Sequence, residues 1–175
     1  PYSRLLLKSN FMDDERTKEL LLDQFRSHKV SEQRISILRR FSSKQEHLDA
    51  YNQMDIALDT FPYNGTTTSF EALWMGVPVI TLKGDRHVSR VTASILEHAG
   101  LSELIAASKR QYINRADQLA KDLERLQQYR DTLRETLASS ELMHPAGFAD
   151  KMERFYRQAF SRKFEDTWAA NIVID

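Results

Sequence analysis

Asp59-Thr60-Phe61-Pro62-Tyr63-Asn64-Gly65-Thr66-Thr67-Thr68-Ser69-Phe70-Glu71 is the stretch on which the reading of this chain turns. It opens at the end of an apolar run, Asp55 to Asp59, and closes inside a helix-compatible segment, Thr68 to Met75. In open parallel sheets ligands gather at the carboxyl ends of strands. A helix that starts there offers N–H donors and a partial positive charge suited to an anion. Three successive threonines add hydroxyl donors with little bulk, and Gly65 lets the backbone approach a phosphate closely or take a positive φ. A plainer reading stands beside this one: Thr68 as N-cap and Glu71 three residues on make a capping box. Glu71 also has a second use, because a carboxylate one turn into such a helix can accept hydrogen bonds from ribose hydroxyls.

Working outward, short apolar runs at Arg4 to Lys8, Arg34 to Leu38, Asp55 to Asp59 and Pro78 to Leu82 are each followed by a helix-length segment. Those segments are Asp13 to Ser27, Glu46 to Gln53, Thr68 to Met75 and Val88 to His98. This alternation predicts an α/β fold, a Rossmann-like parallel sheet with flanking helices. Gly76, with Pro78 behind it, is the expected helix stop, which places Trp74 and Met75 mainly in the core. From Lys109 onward the pattern is helical. Ala116, Leu119, Ala120, Leu123, Leu126 and Leu133 mark one long amphipathic stripe, and Phe148, Met152, Phe155 and Tyr156 mark another. Ser139 to Gly147 is the expected loop between them.

At 175 residues, 41% hydrophobic, the chain is long enough for one compact domain with its own core. Residues 1–161 are expected to form one lobe lacking its first strand–helix unit, and residues 162–175 a tail. The tail's Phe164, Trp168, Ile172, Val173 and Ile174 either dock on a missing lobe or are foreign sequence. The chain opens at Pro1 directly onto a strand-like run and is expected to be part of something longer.

Charge and motifs narrow the function. Twenty-five Lys and Arg balance twenty-five Asp and Glu, so no long-range field draws the chain to nucleic acid. The absence of cysteine excludes disulfides, thiolate nucleophiles and Cys-based zinc sites, and points to a reducing, cytoplasmic compartment. No apolar run approaches the roughly 20 residues that span a bilayer, and no signal peptide opens the chain, so a soluble protein is expected. G-x-G-x-x-G and G-x-x-x-x-G-K-[ST] motifs are both absent, as is any D-x-D pair. This argues against dinucleotide enzymes, P-loop NTPases and a Mg²⁺-bridged diphosphate. His28, His98 and His144 have no i, i+4 partner and read as structural. His87 and Arg90 either contact phosphate or sugar, or belong to a surface helix start capped by Asp85. Arg110, Arg115, Arg125, Arg130 and Arg134 alternate with acids at helical spacing, the pattern of a solvated face.

Taken together, Asn64-Gly65-Thr66-Thr67-Thr68, Glu71-Ala72-Leu73-Trp74-Met75-Gly76-Val77-Pro78-Val79 and Gly84-Asp85-Arg86-His87-Val88-Ser89-Arg90 resemble the O-GlcNAc transferase family. That family includes the plant Spindly-type proteins and bacterial tetratricopeptide-repeat proteins. The similarity extends through Ser3 to Lys8, Lys44 to His47, Gly100 to Ala106 and Leu119 to Asp122. The resemblance implies the C-terminal lobe of a GT-B glycosyltransferase, with sugar transfer from UDP-GlcNAc to protein Ser or Thr and no metal or other cofactor. Thr66, Thr67 and Thr68 then match the diphosphate-binding helix start, and Glu71 matches the acidic ribose ligand, which is Asp in the animal enzymes. Thr66 stands where those enzymes have His. His47 and Lys44 match the positions that hold the uracil ring, and Ser42 and Ser43 offer it main-chain contacts. The implied partners are the nucleotide-sugar donor, a protein acceptor and a missing N-terminal catalytic lobe. Family residues that clamp the β-phosphate lie upstream of the region matching Pro1, so these residues alone are expected to be inactive. Fucosyl or glucosyl transfer on the same architecture, and a non-catalytic protein-interaction module, are the alternatives.

Overall fold

A computed structural model describes residues 3–8, 14–38 and 41–164. It is α/β, mostly helical, and its contacts divide it into two units, Pro1–Met54 and Asp55–Asp175.

In the first unit, strands β1 (Leu5–Lys8) and β2 (Ile35–Leu38) pair in parallel with Leu5 opposite Ile35, and helix α1 (Glu15–Ser27) lies between them in sequence. Asp14 starts α1 by accepting the Thr17 amide at 2.8 Å, a side-chain cap for one of the donors that every helix start leaves unpaired. Helix α2 (Lys44–Asp49) follows and runs into a 3-10 turn, Ala50–Gln53.

The second unit holds a parallel sheet in the order β3 (Ala57–Leu58), β4 (Val79–Leu82), β5 (Ile105–Ala106). Helices α3 (Thr67–Trp74) and α4 (Val91–His98) make the crossovers. Every residue of the central strand β4 is buried, as expected of a strand covered on both faces. Its neighbours in the core are Leu73 of α3 and Leu96 of α4, each fully buried. Helices α5 (Lys109–Leu119), α6 (Leu123–Ala138) and α7 (Pro145–Phe164) complete the unit.

The predicted strands and the helix stop are present, with differences that have physical causes. Gly76 takes φ +75° and closes α3 in a Schellman turn, with Val77 N–H donating to the Ala72 carbonyl and Gly76 N–H to that of Leu73. Within the units the pairing is parallel throughout, β1 with β2 in the first and β3 with β4 and β4 with β5 in the second. The single long stripe after Lys109 is two helices. Asp122 interrupts it by capping α6 through the Arg125 amide at 2.9 Å, and Leu123 is left 74% exposed. Trp74 is also surface-exposed, against expectation, with the Arg134 guanidinium 5.5 Å from its ring centroid.

The arginine run is not a uniformly solvated face. Arg130 and Arg134 on α6 donate to the carbonyls of Met75 and Trp74, which end α3. There they satisfy acceptors the helix cannot and sit at the negative end of its dipole. Arg115 donates to the Glu103 carbonyl and Arg125 to its carboxylate. Of the expected tail, Phe164 falls within α7, its ring 4.6 Å from Phe160, while Trp168, Ile172, Val173 and Ile174 lie outside the described residues.

Leu133 carries the α6 side of the core at 1% exposure. Leu133→Ala is therefore expected to lower the unfolding free energy by about 2–5 kcal/mol, through lost burial and the cavity left behind. Urea denaturation followed by circular dichroism measures this, and an unchanged midpoint would contradict the packing described.

Candidate functional site

The loop from Asp59 to Thr66 leaves the end of β3 and enters α3. Its Asp59 N–H continues the sheet ladder to the Ile80 carbonyl at 3.0 Å. The Asp59 side chain then turns back beneath the loop. Oδ1 accepts the Gly65 N–H at 2.8 Å and Oδ2 accepts the Thr81 hydroxyl at 2.6 Å. Thr81 is fully buried in β4, so this hydroxyl needs its partner. The Gly65 carbonyl accepts the Thr92 hydroxyl at 2.9 Å, and Thr92 in turn lies 3.0 Å from Ser69 Oγ on α3. A side chain at 65 would not fit, because a Cβ there would come within 2.6 Å of both Ser69 Oγ and Thr68 Oγ1.

Asn64 is 2% exposed, with its N–H on the Val88 carbonyl and its amide nitrogen on the Thr60 carbonyl, both at 2.9 Å. Its Oδ1 has no hydrogen-bond partner among the described residues.

Thr66, Thr67 and Thr68 are exposed at the head of α3. The N-cap is Thr66, whose side chain makes no capping bond. Thr68 is the second residue of the helix, so the capping box of Thr68 and Glu71 is not the arrangement here. Glu71 lies one turn into α3 and is half-buried. A helix start whose own N-cap side chain supplies no cap, set at the carboxyl end of a parallel strand, is suited to an anion.

The Asn64 contact to Val88 brings the 3-10 turn His87–Ser89 against this loop. His87 and Arg90 are both exposed at either end of that turn. Ser89, not Asp85, closes it: Ser89 Oγ donates to the Arg86 carbonyl at 3.0 Å and accepts the Arg86 N–H at 3.3 Å.

Lys44 and His47 belong to the first unit. Lys44 is exposed in the first turn of α2, where a cation opposes the helix dipole, so helix stability does not account for it. His47 is half-buried, edge-on to Tyr51 at 5.6 Å and 6.0 Å from the Phe41 ring, and its Nδ1 is hydrogen-bonded to the Lys8 ammonium. Ser43 caps α2 through the Glu46 amide at 3.1 Å. The Ser42 amide and hydroxyl both donate to the Glu46 carboxylate and hold its pKa below the usual value, so that main-chain donor is already engaged. The remaining histidines have local bonds: His98 with the Ser94 carbonyl at 2.8 Å, and His144 Nδ1 accepting the Gly147 amide at 3.0 Å.

Sequence reasoning passed over Asp59, Thr81, Thr92 and Tyr112 as site residues. Thr81 had a legible signal, a lone hydroxyl inside the otherwise apolar run Val79 to Leu82. Tyr112 reaches across from α5, its hydroxyl donating to the Asp59 carbonyl at 2.9 Å. Burial pushes the Tyr112 phenol up to about 12, and the Asp59 charge adds to the shift. Because the folded value exceeds the ordinary tyrosine value of about 10, the Tyr112 contribution to stability is complete below about pH 10 and is lost as pH rises toward 12. In Tyr112→Phe the fall in unfolding free energy over that window should be shallower than in the parent. Equal slopes in denaturant titrations at stepped pH would show that Tyr112 is not held as described.

Comparison with known proteins gives a consistent result. The model of Glycosyl transferase family 41 matches residues 14–152. The chain is 37% identical over 162 residues to the Petunia hybrida probable UDP-N-acetylglucosamine–peptide N-acetylglucosaminyltransferase SPINDLY, covering 93% of this chain and 17% of that protein. Against the Caenorhabditis elegans UDP-N-acetylglucosamine–peptide N-acetylglucosaminyltransferase it is 30% identical over 126 residues, 72% of this chain and 11% of that one. A solved structure of a Thermobaculum terrenum O-GlcNAc transferase mutant superposes with a TM-score of 0.82 at 39% identity, over 89% of this chain and 30% of that chain. The chain thus spans less than a fifth of the curated relatives named. It belongs to Glycosyl transferase family 41, with the α/β architecture of a GT-B lobe.

Proposed function

We propose that this chain is the donor-binding portion of a longer glycosyltransferase that moves N-acetylglucosamine from UDP-GlcNAc to Ser or Thr of an acceptor protein. The observation that carries the reading is the exposed head of α3, Thr66 to Thr68, entered through a loop whose backbone is tied down from beneath. The relatives' names supply the donor and the reaction class.

In the proposed step the acceptor hydroxyl oxygen bonds to the anomeric carbon as the bond from that carbon to the diphosphate breaks. Negative charge then grows on the departing diphosphate, and fixed donors beside it lower the barrier. The helix start and the threonine hydroxyls are those donors, so we assign no metal or other cofactor to the step. Asn64 and Gly65 shape the approach, Glu71 takes the ribose, and His87 and Arg90 reach phosphate or sugar. Lys44 and His47 are assigned to the uracil ring on the matched residues alone. The acceptor protein and the other lobe complete the machinery, and without that lobe these 175 residues do not transfer sugar. A reducing, cytoplasmic setting suits a chain with no cysteine; among the described residues no helix is long and apolar enough to cross a membrane.

A non-catalytic interaction module is the second reading. Helix α7 favours it, since it buries no residue and leaves Phe148, Phe155 and Tyr156 at least 60% exposed.

Thermal-shift measurements with UDP-GlcNAc, UDP-glucose and GDP-fucose separate these readings, and UDP-GlcNAc should stabilise most. A larger shift with GDP-fucose would move the assignment to fucosyl transfer, and no shift with any of the three would favour the interaction module. Thr67→Val, which removes one hydroxyl from the helix head, should weaken UDP binding about tenfold, the loss expected for one hydrogen bond to a charged group. Unchanged affinity would remove Thr67 from the site.

A further inference from the structure

The Gly65 residue is held on both sides by side chains that do not themselves lie at the exposed helix head. Asp59 takes its N–H at 2.8 Å, and the fully buried Thr92 gives its hydroxyl to the carbonyl at 2.9 Å. The Gly65–Thr66 peptide is planar and trans, so a carbonyl drawn toward buried Thr92 turns the Thr66 N–H the opposite way. Ser69 Oγ, 3.0 Å from Thr92 Oγ1, ties the same clamp to α3.

Resting on the nucleotide-sugar reading above, we propose that Asp59 and Thr92 are positioning residues for the diphosphate, fixing the Gly65 peptide so that the Thr66 N–H is aimed before the ligand arrives. Both Asp59 carboxylate oxygens are engaged, by Gly65 and by Thr81, and its carbonyl accepts the Tyr112 hydroxyl. A carboxylate so occupied acts through geometry, and its two donors offset the repulsion it would otherwise exert on an incoming phosphate. The loop is ordered by folding, not by the ligand, which raises affinity for the group the loop contacts and for no other part of the nucleotide.

This confinement to one part of the ligand gives the test. Affinities for UDP and for uridine are measured by NMR titration of the 175-residue chain and of Asp59→Ala, Asp59→Asn and Thr92→Val, with thermal midpoints recorded for each. Asp59→Ala and Thr92→Val are expected to lose about tenfold or more in UDP affinity while uridine affinity stays within about twofold. Asp59→Asn can still offer Oδ1 to Gly65 and donate its amide to Thr81 Oγ1, so it should stay within about threefold of the parent for UDP. A parent-like preference for UDP in both Asp59→Ala and Thr92→Val would overturn the proposal, as would equal losses for UDP and uridine, the signature of general unfolding. Asp59→Asn as weak as Asp59→Ala would overturn the geometric role. If the unaltered chain shows no preference for UDP over uridine, the phosphate site itself is wrong and the clamp falls with it.

Discussion

A hydrogen bond of 2.8 Å from the Gly65 amide to the Asp59 carboxylate closes the turn between β3 and α3, and the geometry of the helix head follows from it. Four elements meet at that turn. Thr81 reaches it from β4, Thr92 and Ser69 from α4 and α3, and Tyr112 from α5. Each contributes a hydroxyl, the smallest group that can satisfy a buried polar atom without adding charge. The apolar core around β4 supplies the driving force for the fold, but it has no direction. The hydroxyl network orients the loop that the core merely encloses.

The energetic logic runs opposite to that of an ordinary helix start. A stable N-terminus is usually capped by its own Ser, Thr or Asp side chain, as Asp14, Ser43, Ser108 and Asp122 do for α1, α2, α5 and α6. Helix α3 begins at a threonine that could make such a bond and does not, whereas α4, also without a side-chain cap, begins at Arg90. Leaving a cap unmade costs stability, on the order of 1 kcal/mol, and that cost is understandable where an external anion takes the place of the cap. The loop beneath is correspondingly over-determined, which suits a site whose donors must be in place before charge develops.

The sequence made the long-range plan legible because β1 to β4 are short apolar runs bounded by polar segments, and because Gly76 has one geometric use at the end of α3. What escaped was what depends on tertiary contact. β5, Ile105–Ala106, follows directly on the 3-10 turn Ser102–Leu104, so no polar boundary sets it off as a separate apolar run. Arg130 and Arg134 look like surface charge until α6 is laid against the end of α3, where their guanidinium groups meet its last carbonyls. The threonine run is legible as a helix head after a strand, and it lies there between β3 and α3. Of its two readings the capping box is absent: Thr66 and Thr68 are equally good caps by composition, the backbone makes Thr66 the N-cap, and its side chain makes no capping bond. Asp59, Thr81 and Thr92 stayed hidden because their partners are distant in sequence.

Amide chemical-shift mapping decides whether the start of α3 receives a diphosphate, as proposed. With UDP added to the isotopically labelled chain, the largest shifts should fall on the backbone amides of Gly65 through Ser69. Saturable binding that leaves those five amides unmoved while shifts gather elsewhere would place the diphosphate away from α3.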